Sequence, residues 1–380
     1  MAAKRPCIVF TVIGIEEGDM ADRSPRRSRR DALRRIGFWS LSAATATGVA
    51  TLSARGFARY GGTDGPAGFT PVTHQLGWLK GVQFGGDFMA QDLGAFAAAK
   101  LSVHYTAGGP GTDYRTIVSS GRALVSESNT TGMLDGYLHG QPLVAFAAVM
   151  QRDPAAFMSS AARPIRSLKD MVGRTVGLPD NIRSQIAALM RRARIDPDSV
   201  RFVPVGSDPG QLITGQVDAY FSWATTAVPP LRRAGFDPFV LHMSEIGAPG
   251  YGGLLFTRRD HLEREHDVFV RYVRALKTGW QWMVDHPDDA ADIVVRKYAA
   301  IGSSLDEQKA EARLMRDYII HGDALTKGLL WIDPAVFEAS VQLAREAGKI
   351  AADAGIDVSA YVTQSVVEAA AEPAPMAGRS

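Results

Sequence analysis

Nine side chains stand where short β-rich runs of this 380-residue chain end, and their types suit binding a ligand. Trp78, Phe84, Trp223 and Tyr251 offer flat apolar faces. Such faces stack on a heteroaromatic ring with about 0.5–1.5 kcal/mol beyond the area they bury. Glu127 can accept a hydrogen bond from a ring amino or imide N–H. Asn129, Gln151 and Asn181 each offer a donor and an acceptor, and Asp180 and Asn181 open a helix whose free N–H groups can hold an oxygen. Each position also has a bland alternative. Trp78, Phe84 and Trp223 can pack in a core. Asn129 and Asn181 can cap helices beside a solvated Glu127. Tyr251 can be a hinge residue, and Asp153 can hold Arg152. His74, inside a strand, reads as packed rather than liganding.

The spacing of the remaining reactive residues excludes most catalysis. There is no GxSxG elbow, no HExxH pair and no GxxxxGK[ST] loop. Gly108-Gly109-Pro110-Gly111 lacks the third glycine of a dinucleotide fingerprint and the lysine of a nucleotide loop. The 8 histidines are scattered, and the 1 cysteine, Cys7, excludes an intrachain disulfide and a cysteine-based zinc site. Asp288-Asp289 and Asp196-Pro-Asp198 sit at helix starts, where acids favour the positive dipole end. No catalytic residue, metal site or cofactor is expected. Lys+Arg 42 against Asp+Glu 40 is too even a balance for a dedicated nucleic-acid binder.

These side chains must be positioned by alternating strands and helices, the pattern of α/β units on mostly parallel sheets. Strands are expected at 72–78, 102–106, 123–126 and 143–150, with helices at 88–100, 112–120 and 131–139 between them. The run 143–150, LVAFAAVM, is continuously apolar, as in a buried central strand. A second series has strands at 174–178, 200–205, 217–223 and 238–242. Residues 249–257 then return toward the first series. The last third is helical: Val268, Phe269, Tyr272, Val273, Leu276, Trp280 and Met283 form one apolar helix face.

Ahead of this body lies a leader. An arginine-rich stretch, residues 23–35, precedes an uncharged run at 36–52 and small residues at Gly56 and Ala58. That order gives a secretory signal over residues 1–58, with cleavage after Ala58 and a start as late as Met20. Ser28-Arg29-Arg30-Asp31-Ala32-Leu33-Arg34 is similar to the twin-arginine export motif, departing from it at Ala32. The run 36–52 is too weakly apolar for a membrane anchor. An extracytoplasmic, periplasmic location follows, without membrane insertion.

From about 71 to 345 the chain resembles the substrate-binding proteins of ABC importers for sulfonates, nitrate, riboflavin and thiamine-pyrimidine precursors. The likeness rests on LGW and QFGGDFMAQDLGAFAAAKLSV (76–78 and 83–103), the loop 108–111, LVAFAAVMQRDP (143–154), IRSLKDMVGRTVG (165–177) and GQVDA (215–219), in that order. GWLKGVQFGGDF and VMQRDP are most similar to the pyrimidine and riboflavin branch. The resemblance implies an α/β, two-lobe periplasmic-binding-protein fold of type II, with mostly parallel sheets flanked by helices and a hinged cleft. Lobe one is expected from 70–166 and 249–365, lobe two from 167–248, and a flexible tail from 366–380. The implied function is capture of a small, pyrimidine- or flavin-like ligand by a monomer and delivery to an ABC permease. A sulfonate- or nitrate-type anion is the alternative ligand. A periplasmic sensor subunit, or a relative of the thiamine-pyrimidine synthase, is the alternative role. That enzyme carries a cysteine-rich iron-binding run, which this body lacks.

Overall fold

A computed structural model describes residues 66–371. The arginine-rich leader, its cleavage site and the tail beyond 371 lie outside the described residues. The strands are β1 (Thr70–Gln75), β2 (Leu101–Thr106), β3 (Val125–Ser128), β4 (Leu143–Met150), β5 (Ala155–Ser160), β6 (Thr175–Gly177), β7 (Arg201–Val203), β8 (Ala219–Trp223), β9 (Pro238–His242) and β10 (Gly252–Arg258). They form two five-stranded sheets, ordered β2-β1-β3-β10-β4 and β7-β6-β8-β5-β9. Each sheet is parallel except for one strand, β10 in the first and β5 in the second. The antiparallel strands are the first strands after each crossing between sheets. A chain that leaves one sheet and enters the next from the hinge side must run against its new neighbours.

The boundary expected at 166 therefore moves. β5 pairs with β8 and β9, so the second lobe begins just after Pro154. Its sequence, AAFMSS, has neither strict alternation nor a β-branched residue, so it carries no strand signal of its own. The apolar run 143–150 is indeed a strand buried along its whole length. It lies at the edge of its sheet, not at the centre. The C-terminal third covers that edge: Ala145 N–H donates to Tyr361 O at 2.9 Å, Thr363 N–H to Ala145 O at 2.9 Å and Ala148 N–H to Leu330 O at 3.1 Å. A continuous apolar run reports burial on all sides, and a covered edge supplies it.

The C-terminal third does not belong to lobe one alone. The helix Leu305–Ile319 packs on the second-lobe helix Ala224–Arg233, and Pro334–Glu346 packs on both Thr130–Leu138 and Arg183–Arg192. Arg233 pairs with Glu307 at 2.7 Å and Arg192 with Glu346 at 2.6 Å across those contacts. Residues 366–371, expected in a flexible tail, are ordered. Ser365–Ala371 is helical, with Val366, Val367 and Ala370 buried against the helix His266–Asp285.

That helix packs mainly on Gly85–Asp92 and reaches β1 through Tyr272, whose hydroxyl lies 2.8 Å from His74 Nδ1. It crosses Gly85–Asp92 so closely that a Cβ on Gly279 would lie 2.0 Å from Gly86 O. Only glycine permits that approach, and it sets the neighbouring Asp87 against the first sheet. The single helix expected at 88–100 is two, Gly85–Asp92 and Ala95–Ala98, broken by Gly94 at φ +73°. Phe88, Phe146, Phe256, Phe269 and Leu276 are wholly buried in this first core. Burying each contributes about 1.5–3 kcal/mol. Among the described residues no helix is long and apolar enough to cross a membrane.

Candidate functional site

A cavity of about 880 Å³ lies between the two sheets, lined from one side by residues 77–129 and from the other by residues 179–230. From the first lobe come Trp78 and Gln83 after β1, Tyr114 at the start of the helix Tyr114–Ser119, and Glu127, Ser128 and Asn129 at the end of β3. From the second come Pro179, the loop 205–209, and Phe221, Ser222 and Trp223 at the end of β8. These are carboxyl ends of strands, where open α/β sheets place their ligands.

Local bonds hold this wall. Trp78 O accepts Gly108 N–H at 2.9 Å, which pins the chain while the indole stays 38 % exposed. Phe221 meets Phe157 of β5 edge to face, with centroids 5.1 Å apart. Two positions on, it shares a strand face with Trp223. Tyr220, on the other face, is buried and donates to Gly206 O at 2.9 Å, fixing the loop 205–209. Asn129 caps the helix Thr130–Leu138 by accepting Gly132 N–H at 2.8 Å, yet still lines the cavity.

Glu127 is the one charged side chain among the described lining residues. It is 7 % exposed and lies 3.4 Å from His74 Nε2. His74 is wholly buried in β1, and its Nδ1 lies 3.4 Å from Asp87 Oδ1, also wholly buried. Tyr272 Oη lies 2.8 Å from the same Nδ1, and Tyr105 Oη donates to Asp87 O at 3.1 Å. One atom from each of the three ionisable side chains falls within 4.8 Å of the others, the span of a metal site. The ring, however, lies between the carboxylates with one nitrogen toward each, so a protonated imidazole is itself the cation they need. Burial alone would lower the His74 pKa; the bonds and charges of Asp87 and Glu127 outweigh it and raise the value to about 9. Burial pushes Glu127 up to about 7 against the pull of His74, and the Asp87 charge adds to the rise.

Of the nine sequence-expected residues, Trp78, Glu127, Asn129 and Trp223 meet in the cavity, and five do not. Phe84 is wholly buried. It ends the 3₁₀ turn Val82–Phe84, whose middle residue Gln83 faces the cleft instead. Gln151 is buried at the first crossing, where its amide donates to Ala148 O at 3.0 Å and Trp331 O at 2.8 Å. Asp180 and Asn181 are exposed and do not line the cavity, to which their turn contributes Pro179. Tyr251 lies at the second crossing, immediately before β10. It is 3 % exposed, its N–H donates to Thr130 Oγ1 at 2.8 Å, and its hydroxyl accepts Asp333 N–H at 3.1 Å. Beside it Asp153 N–H donates to Gly250 O at 2.8 Å, joining the two crossings. Asp153 does not hold Arg152; it accepts Ala155 N–H at 2.9 Å, while Arg152 lies 3.4 Å from Glu245. Sequence reading missed Gln83, Tyr114, Phe221 and Asp87. Only Phe221 carried a signal, its two-residue spacing from Trp223.

Comparison with known proteins agrees with this architecture. The formylaminopyrimidine-binding protein of Halalkalibacterium halodurans is 25 % identical over 213 residues, covering 55 % of this chain and 64 % of that protein. The riboflavin-binding protein RibY of Chloroflexus aurantiacus is 23 % identical over 240 residues, covering 58 % and 65 %. The chain thus spans just under two thirds of each relative. Among solved structures, the periplasmic aliphatic sulphonate binding protein SsuA of Escherichia coli superposes with a TM-score of 0.58 at 11 % identity, covering 82 % of this chain and 94 % of that one. The desulfurization enzyme DSZB does so with 0.52 at 15 %, covering 79 % and 98 %. At such identities the likeness establishes the periplasmic-binding-protein fold, which binding proteins and an enzyme share. The family described as NMT1/THI5 like matches residues 82–290, which hold Gln83, Glu127, both crossings and the whole second lobe, and the chain belongs to that family.

Proposed function

We propose that this protein is an extracytoplasmic solute-binding protein that closes its lobes on a small, flat, nitrogen-bearing ring and delivers it to an ABC permease. The observation that carries this reading is the composition of the cleft. Trp78 and Tyr114 on one side and Phe221 and Trp223 on the other surround a single carboxylate, Glu127. Rings on opposite walls suit a flat ligand, and a carboxylate acceptor suits an amino or imide N–H. A sulfonate or nitrate needs cationic or dipolar holders, and no lysine, arginine or histidine is among the described lining residues. The anion reading is therefore the weaker one, despite the likeness in fold to a sulphonate binder. The names of the two sequence relatives, a formylaminopyrimidine binder and a riboflavin binder, point the same way. The reading is of binding without turnover: the polar groups facing the cleft include no nucleophile beside a base.

The test is direct. The mature chain is purified from its host and its co-purified small molecules are identified by mass spectrometry. Formylaminopyrimidine, riboflavin and taurine are then titrated by calorimetry. The expected result is a ring compound in the first experiment and saturable binding of one ring compound in the second. Binding of taurine alone, or conversion of a bound ring into a new product, overturns the reading.

A further inference from the structure

From the cleft inward runs a line of three ionisable side chains: Glu127 at the surface of the cavity, His74 behind it and Asp87 behind His74. Each comes from a different element, β3, β1 and the helix Gly85–Asp92. Burying Asp87 among Phe88, Tyr105 and Tyr272 is unfavourable by several kcal/mol unless a cation stands beside it. Among the described residues its ion pair is with His74, at 3.4 Å. The other groups facing the line are Tyr105 from β2 and Tyr272 from the helix His266–Asp285. Burial pushes both hydroxyls well above their usual range, so they stay neutral. Tyr298, one ring further out against Phe88, is hydrogen-bonded to Asp92. Charge on this line is thus carried by two carboxyls and one imidazole, and only Glu127 meets the cavity.

We propose that His74, held as an imidazolium by Asp87, keeps Glu127 as the carboxylate that accepts an N–H from the ligand, so that the cleft selects hydrogen-bond donors at neutral pH. This rests on the ring-ligand reading above for the identity of the ligand, but not for the charge of the line itself. His74 and Asp87 touch no ligand; they are positioning residues that act through Glu127. Without the imidazolium, a carboxyl as buried as Glu127 takes up a proton at neutral pH and offers an O–H instead of an acceptor. A ring presenting N–H would then lose its partner, and one presenting only lone pairs would gain it.

Two measurements separate the assignment from the ligand reading. In the unliganded protein, the ¹⁵N shifts of the His74 ring and the ¹³C shift of the Glu127 carboxyl are followed against pH in wild type, Asp87→Asn and His74→Gln. The wild-type ring is expected to be doubly protonated at about pH 7.5, and Asp87→Asn to lower its titration by about one pH unit or more. His74→Gln is expected to raise the Glu127 midpoint. Formylaminopyrimidine and its dimethylamino analogue, which lacks the exocyclic N–H, are then titrated across pH. Wild-type affinity for the first should rise about tenfold as pH climbs through the Glu127 midpoint and stay high above it, because the proton His74 loses in alkali does not return to Glu127. His74→Gln should move that rise to higher pH. Glu127→Gln should remove the rise. A neutral His74 ring in the unliganded wild type overturns the proposal, as does a folded Asp87→Asn protein whose His74 titrates as in the wild type, or a folded His74→Gln protein with the wild-type pH profile of binding. If the line titrates as expected but neither ring binds at any pH, the ligand reading fails and the role of His74 in setting Glu127 stands.

Discussion

Trp78 and Phe84 lie six positions apart beyond the same strand, and their surroundings assign them opposite roles. Trp78 is 38 % exposed at the cavity wall, so its removal mainly widens the cleft. We expect Trp78→Ala to leave the melting temperature unchanged and to weaken ring binding about tenfold, or 1.4 kcal/mol, by calorimetry. Trp223→Ala, on the opposite wall, should weaken binding by a similar factor, mainly through a faster off-rate seen in stopped flow. A melting point that collapses with affinity intact would make Trp223 a core residue. Phe84, wholly buried, should show the reverse pattern. Phe84→Ala is expected to lose about 3–5 kcal/mol in denaturant unfolding while the folded fraction binds normally. The local sequence does not separate these two aromatics. The 3₁₀ turn that begins at Val82 decides it, by turning Phe84 inward and Gln83 toward the cleft.

The decisive element contact is the crossing of Gly85–Asp92 with His266–Asp285. A methyl at Gly279 would meet Gly86 O at 2.0 Å and Ala90 N at 2.4 Å, both backbone atoms that cannot swing aside. Gly279→Ala is expected to destabilise by about 1–3 kcal/mol, since the helices must move apart. Because Asp87 follows Gly86, the same shift should lower the His74 titration, which NMR would detect. A fully native His74 titration in that variant would show that Asp87 is placed by β1 and not by the crossing. The amphipathic face of the long helix was plain from its apolar spacing, and so were the runs that became β2, β4, β8 and β9. β5 was not, because an AAFMSS strand is specified by β8 and β9 on either side and not by its own residues.

Among the described carboxyl and imidazole groups, four have their pKa raised, and all four act on stability in the same direction. Burial raises Asp153 to about 6, Glu127 to about 7 and Glu311 to about 8, and the two carboxylates raise His74 to about 9 against the effect of burial. A group whose folded pKa exceeds its unfolded one contributes stability that is present below the unfolded value and lost as pH rises through the folded value. Stability should therefore decline between pH of about 5 and 9, by about 2 kcal/mol or more, as each proton leaves. Depressed carboxylates such as Asp260, held down by hydrogen bonds from Arg258 and Arg264, add stability that is complete before this window opens and lost only in acid, and His242 and His261, lowered by burial, oppose the decline only below their unfolded value of 6.5. Thermal melts at pH 6 and pH 9 would check this; an equal or higher melting temperature at pH 9 would refute it. The exposed pairs Arg192–Glu346 and Arg233–Glu307, which tie the C-terminal helices to the second lobe, should each matter by less than about 1 kcal/mol. The sequence by itself determined the alternation of strands and helices, the two-lobe family and the exits that carry Trp78, Glu127 and Trp223, because hydrophobic period and turn residues act over a few positions. Only the tertiary structure decided that LVAFAAVM is an edge strand, that Gln151 and Tyr251 lie at the crossings, and that Asp87 stands behind His74 and Glu127. Those facts depend on which distant segment covers a surface, such as Tyr361 on β4 or Gly279 against Gly86, and no local pattern encodes a partner that far along the chain.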